Sequence, residues 1–357
     1  MPHPYSDLPP EAFWRSGVAE VDPGALTGLY VPKVKIGPQT RIATAGSCFA
    51  QHIGRALRGA GVAVLDAEPA PLALPEAAAR EFGYGLFSGR YGNIYTVRQL
   101  VQLLQDVQTG EVSEAFVWEK GGRFYDALRP GVEPLGMDSP EEVLFLRRAH
   151  LAALRRMLAE AEVFVFTLGL TEAWIDAPTG RVFQTCPGVI AGRFDPARHV
   201  FHNFTLAEMR ADLEQARALL RSFRKRMRMI VTVSPVPLTA TASGGHVLPA
   251  TVNSKALLRV AAGEFAAAHR GVDYFPSYEM ITNPAARGRF FEANQRSVTA
   301  QGVQMVMSAF LAAQGLAGTA APGPVAPQGG AAAAEDGEDT AEDGVICEEM
   351  LLDAFGR

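Results

Sequence analysis

The sequence predicts an α/β protein built on a flavodoxin-like parallel sheet of about five strands, with helices on both faces. Two observations carry this reading. Short apolar runs such as Val163-Phe164-Val165-Phe166-Thr167-Leu168 and Met229-Ile230-Val231-Thr232-Val233 stop at Gly169 and at Ser234-Pro235, the pattern of strands covered on both faces. Stretches of helical periodicity lie between such runs, and a strand–helix–strand order implies parallel pairing through right-handed crossovers.

Residues 1–40 are rich in Pro and Gly without sustained periodicity, and read as an N-terminal arm packed on the domain. The first strand is Arg41-Ile42-Ala43-Thr44. Phe49, Ile53 and Leu57 then recur every fourth residue, giving one apolar helical face that Gly59 and Gly61 end. Val62-Ala63-Val64-Leu65 predicts a second strand, and residues 66–92 a long Pro- and Gly-rich excursion. Helices are expected near 95–106 and 140–160, before the strand 163–168. Helices near 206–226 and 252–268 alternate with strands 229–233 and Val272-Asp273-Tyr274-Phe275. A helix near 299–313 closes a domain bounded at 41–316. Residues 317–343 turn Ala/Gly/Pro-rich and then acidic, a composition that predicts a disordered low-complexity linker. In the short C-terminal segment 344–357, the apolar run 345–352 can dock as a short helix.

With 48% hydrophobic and 20% charged residues among 357, the chain can bury a substantial core. A formal net charge of −5 argues against general nucleic-acid binding, which needs a basic surface. Cys48, Cys186 and Cys347 are too sparse for a disulfide framework, and no Cys/His cluster suggests a metal. No cofactor is expected. No run approaches the roughly 18 apolar residues of a membrane span. The opening Met1-Pro2-His3-Pro4 lacks the charged and apolar regions of a signal peptide, so a cytoplasmic location is expected.

Ligands of such sheets bind beyond the carboxyl ends of the strands, so chemistry is sought just after each apolar run. After the first strand stands Gly46-Ser47-Cys48. The glycine permits a tight turn, and Ser47 sits where helix-terminal N–H groups can receive a developing oxyanion. Helix capping is the commoner use of a serine at this position. Thr171 and Glu172 follow the strand 163–168 and can face the same cleft, or serve as ordinary loop residues. Cys48 is either a thiol nucleophile or buried filling. The cluster Arg221, Arg224, Lys225, Arg226 and Arg228 reads as a solvated face at a helix end.

Gly46-Ser47-Cys48-Phe49-Ala50 spells the motif of the GSCFA family, and the chain resembles that family well beyond it. The resemblance includes Tyr91-Gly92-Asn93-Ile94-Tyr95, Thr167-Leu168-Gly169-Leu170-Thr171-Glu172-Ala173-Trp174, Val233-Ser234-Pro235-Val236-Pro237, Ser254-Lys255-Ala256-Leu257-Leu258-Arg259 and Phe275-Pro276-Ser277-Tyr278-Glu279. It spans roughly residues 3 to 312. The family is similar to the SGNH/GDSL hydrolases, which remove or transfer acyl groups, often acetyl groups on sugars. The resemblance implies an SGNH-hydrolase-like fold with Ser47 as nucleophile. It also implies an oxyanion hole drawn from the Cys48 amide, Asn93 and the Gly169 region.

The last block of that superfamily, Asp-x-x-His, is replaced. Arg296 stands where the histidine belongs and Ala293 where the aspartate belongs. An arginine cannot act as a general base. Among seven histidines, His246 follows the Ser-Pro-Val-Pro loop and two glycines that let the backbone bring its ring inward; the other reading is a loop residue or helix-leading cap. His199 and His202 flank a connection, and His52 is turned about 140° from Ser47 on its helix. The expected catalytic set is therefore Ser47, His246 and Glu172, with Gly46, Cys48, Asn93, Gly169, Thr171 and Arg296 around the substrate. The expected activity is a serine esterase or O-acyltransferase acting on a carbohydrate or other acylated small molecule. The alternative is a non-catalytic module that grips a sugar or anionic ligand through Arg296.

Overall fold

The computed structural model describes residues 3–317 and 348–355. In chain order the strands and helices are β1 (Ile42–Gly46), α1 (Ala50–Gly59), α2 (Glu76–Glu81), α3 (Val97–Thr109), β2 (Val117–Lys120), β3 (Arg123–Asp126), α4 (Pro140–Glu160) and β4 (Val163–Leu168). They continue as β5 (Glu172–Asp176), β6 (Arg181–Val182), β7 (His199–Asn203), α5 (Leu206–Phe223), β8 (Arg228–Val233), α6 (Val247–Ala268), β9 (Val272–Phe275), α7 (Ser277–Thr282) and α8 (Ala300–Ala313).

The core is a parallel sheet in the order β1-β4-β8-β9. Its side chains alternate between two apolar layers, as the two-residue period of a strand requires. Ala43, Phe164, Phe166, Met229 and Val231 face α3–α6, whereas Ile42, Val163, Val165 and Ile230 face α1, α7 and α8. Burial on both faces is why the strands read as continuous apolar runs. Ser139, Thr96, Thr205 and Thr299 cap α4, α3, α5 and α8 through their hydroxyls.

Where a fifth strand is expected, the structure has a single parallel bridge between Val64 and Ile42. Ala63 O accepts the Ile42 N–H, but the Ala63 N–H turns to Pro38 O at 2.9 Å, so the N-terminal arm takes the outer edge of this segment at Pro38. The arm is held further by Asp273, whose Oδ2 accepts Tyr30 Oη–H at 3.1 Å and Val34 N–H at 2.9 Å.

Two antiparallel additions are absent from the sequence reading. One is the hairpin β2–β3; the other is the sheet β6-β5-β7, in which Glu172 pairs with Asn203. Glu172, weighed above as a loop residue, thus begins a strand. The hairpin is tied down by buried charges. Arg129 Nε donates to Asp126 at 2.8 Å, and Arg147 reaches both Asp126 and Asp106. The two guanidiniums hold the Asp126 carboxyl below its ordinary range against the opposing effect of burial. Arg181 then grips Asp106 with both terminal nitrogens, at 3.0 and 2.8 Å.

No helix of the described residues is long and apolar enough to cross a membrane. Residue 317 apart, the linker expected at 317–343 lies outside the described residues, as does Cys347. Residues 348–355 form a 3₁₀ helix.

The tightest point of the sheet is Gly46, at φ +138, where a Cβ would stand 2.4 Å from Thr167 O and 2.6 Å from Thr167 N. Gly46→Ala is expected to cost at least about 3 kcal/mol through strain and backbone clash. Gly59→Ala, with nothing within 4 Å of its new methyl, should be neutral or mildly stabilising. Denaturant midpoints of the two variants check this, and equal midpoints would refute the crowding.

Candidate functional site

The site begins with the exit from β1. Gly46 pairs with Thr167, and the ladder runs one bond further, from Ser47 N–H to Thr167 O at 3.1 Å. Ile94 N–H donates to Gly46 O at 2.8 Å, which sets buried Asn93 beside the same turn. Ser47 is 2% exposed. It does not cap α1: the cap position is Phe49, with no side-chain bond, so the capping alternative is not the one realised. Its Oγ is buried and makes no hydrogen bond within the protein. A buried hydroxyl without a partner is costly, and such groups collect where function demands them.

The exit from β4 forms the opposite wall. Gly169 approaches Ser47 so closely that a Cβ there would lie 3.0 Å from Ser47 Cβ and 3.0 Å from Tyr95 O. The Gly169 and Leu170 N–H groups both donate to Tyr95 O at 3.1 Å, so within the Gly169 region expected at the oxyanion hole these two amides are engaged elsewhere. Thr171 N–H donates to Ser254 Oγ at 3.0 Å, while the Thr171 hydroxyl is buried without a bond. Lys255, the next residue of α6, donates from Nζ to Gly169 O at 2.7 Å. In the sequence Lys255 stands in the motif Ser254-Lys255-Ala256-Leu257-Leu258-Arg259, with no role implied for it.

Beyond this turn lies a cavity of about 640 Å³ walled by Trp174, Phe183, Phe194, Phe201 and Leu238. Tyr95, Leu170 and Gln184 line it too, and Gln184 Nε2 donates to Asn93 O at 3.0 Å, so cavity and serine turn share a wall. Leu352, Asp353 and Phe355 of the Glu348–Phe355 helix also line it. Glu172 contributes a carboxyl that accepts the Thr241 hydroxyl at 2.8 Å. Desolvation raises its pKa above the ordinary carboxylate value.

The remaining predicted residues are more scattered. His246 is exposed and caps α6, its Nδ1 accepting the Leu248 N–H at 3.1 Å, roughly 13 Å along the axis from Lys255. His202 pairs with Glu208 at 2.9 Å, and His199 accepts the Asp195 N–H. His52 is buried edge-on against Phe49, and burial lowers its pKa to about 4. Cys48 is buried, and neither it nor Cys186 is in a disulfide. Arg296 is half-buried in a loop whose backbone is turned by Asn294 Oδ1, between Phe290 and Val298, which pack in one cluster with Phe49. Among the described residues, no group of three or more His, Cys, Asp or Glu is arranged to hold a metal ion.

The family model for the GSCFA family matches residues 41–310. Comparison with curated proteins finds no match.

The raised pKa of Glu172 has a signed consequence. Because the folded state holds this proton more firmly than the unfolded chain, the associated stability is present below about pH 4 and is lost as pH rises through the folded value. Glu172→Gln keeps an acceptor for Thr241 and removes the ionisation. Its melting temperature should gain on wild type as pH is raised from about 4 to 8. A constant difference across that range would show that Glu172 titrates as an ordinary exposed carboxyl.

Proposed function

The chain belongs to the GSCFA family, and we propose that it is a serine esterase or O-acyltransferase that acts on an acylated carbohydrate or similar small molecule. The observation that supports this most is the state of Ser47: buried, delivered by a turn only glycine tolerates, unused as a helix cap, its hydroxyl unspent. Ser47 attacks the acyl carbon, and the Cys48 amide with the Asn93 side chain stabilises the oxyanion at the start of α1. The aromatic cavity supports a substrate with an apolar face, either a sugar ring's C–H surface or the acyl group. Glu172 offers that substrate a carboxyl from the cavity wall. We place the protein in the cytoplasm.

A second reading is favoured by one observation. No histidine of the described residues bonds Ser47 Oγ, and His246 is occupied as an exposed cap. On that reading the fold is a binding module for a sugar or anionic ligand, anchored by Arg296.

A panel of acetyl esters and acetylated glycans separates the two. Ester turnover by wild type that falls at least about a thousandfold in Ser47→Ala, with melting temperature kept, supports the enzyme. Absence of any turnover, together with glycan binding that Arg296→Ala weakens, supports the module.

A further inference from the structure

Lys255 is 2% exposed, as deeply buried as Leu258 one turn later on the same face of α6. Removing an ammonium from water costs several kcal/mol, so a lysine among core residues calls for a purpose. Its position relative to the serine is set through one glycine. Its Nζ lies 2.7 Å from Gly169 O. Gly169 is also the residue at which an added Cβ would stand 3.0 Å from Ser47 Cβ. One glycine therefore lies against the serine and holds the amine with its carbonyl. Ser254, adjacent on α6, anchors the same loop through the Thr171 N–H, so helix and loop are locked together where the amine enters.

We propose that Lys255 is the general base of the Ser47 site, a role that rests on Ser47 being the nucleophile. Lysines held near a reacting hydroxyl serve as general bases. Ser47 Oγ has no hydrogen-bond partner in this structure, so on this assignment the neutral amine closes on the hydroxyl when substrate binds, as catalytic hydrogen bonds often do. The Ser47 proton passes to Nζ as Oγ bonds to the acyl carbon and the carbonyl π pair moves to oxygen. On collapse the C–O bond to the leaving group breaks, and that oxygen takes the proton from the Lys255 ammonium. Water, or an acceptor hydroxyl, then gives its proton to the amine as it attacks the acyl-serine, and Ser47 recovers the proton when it departs. No histidine is needed, which fits the replacement of the Asp-x-x-His block by Ala293 and Arg296.

A tagged fluorophosphonate tests this without knowledge of the substrate, because it reports the rate at which Ser47 Oγ displaces fluoride from phosphorus. Wild type should be labelled at Ser47, at a rate that rises with pH to a plateau. Lys255→Met should be slower by about two to four orders of magnitude and lose that rise. Lys255→Arg keeps a cation and a donor for Gly169 O but cannot accept a proton, so it should be as slow as Lys255→Met. His246→Ala should label like wild type. Labelling of Lys255→Arg at the wild-type rate overturns the assignment. So does a wild-type rate that is flat from about pH 5 to 10, a check that needs no variant to fold. Wild type that resists labelling at Ser47 altogether overturns the nucleophile as well, whereas labelling abolished by Ser47→Ala yet indifferent to Lys255 overturns the lysine alone.

Discussion

The close passage of β1 against β4 at Gly46 is the constraint on which the site depends. Sheet hydrogen bonding continues to Ser47 N–H, so the serine is held in register with Thr167 even as the chain leaves the strand. The turn at φ +138 brings the backbone too near Thr167 for any side chain. Gly169 makes the matching concession just past the end of β4, leaving room for the serine's own Cβ. Two glycines at the ends of adjacent strands thus admit one hydroxyl at the carboxyl edge of a parallel sheet, where such folds place their ligands. Without the first the turn cannot form, and without the second the serine is pushed aside.

The buried charges of the antiparallel additions bear on the same site from a distance. Asp106 on α3 is shared by Arg147 from α4 and Arg181 from β6. That clamp brings β6 against α3, and with β6 come Phe183 and Gln184, which wall the cavity. The excursion after α1 is held by a hydrogen bond between His150 Nδ1 and Glu68 at 2.7 Å, with burial lowering the His150 pKa to about 4. The Asp–Arg pairs add little net stability over apolar packing, but loss of one partner strands a charge in the interior. They define where the additions sit more than they strengthen the whole.

The parallel core was legible because double-sided burial writes itself into consecutive residues, as in Val163–Leu168. Ser47 was legible because a glycine turn after such a run is a local signal. Pairing between distant segments was not. Glu172 becomes a strand residue only because His199–Asn203 lies alongside it, and Val62–Leu65 shrinks to one bridge because Pro38 takes the Ala63 N–H. Of the two readings of His246, an inward-turned ring and a helix-leading cap, the structure realises the cap. Lys255 carried a readable signal: it shares a face with Leu258 and Ala262 at spacings of three and four, so a cation falls on the apolar stripe of α6. Reading polar residues of a helix as its solvent side hides such a residue.

Leu352, Asp353 and Phe355 give the cavity a wall that belongs to a short helix joined to the domain through residues 318–347. A small molecule lying in the cavity is therefore flanked by side chains from two distant stretches of the chain, Trp174 and Phe201 in one, Leu352 and Phe355 in the other. Its fit is a joint property of both, and a change in either alters the shape that the molecule meets.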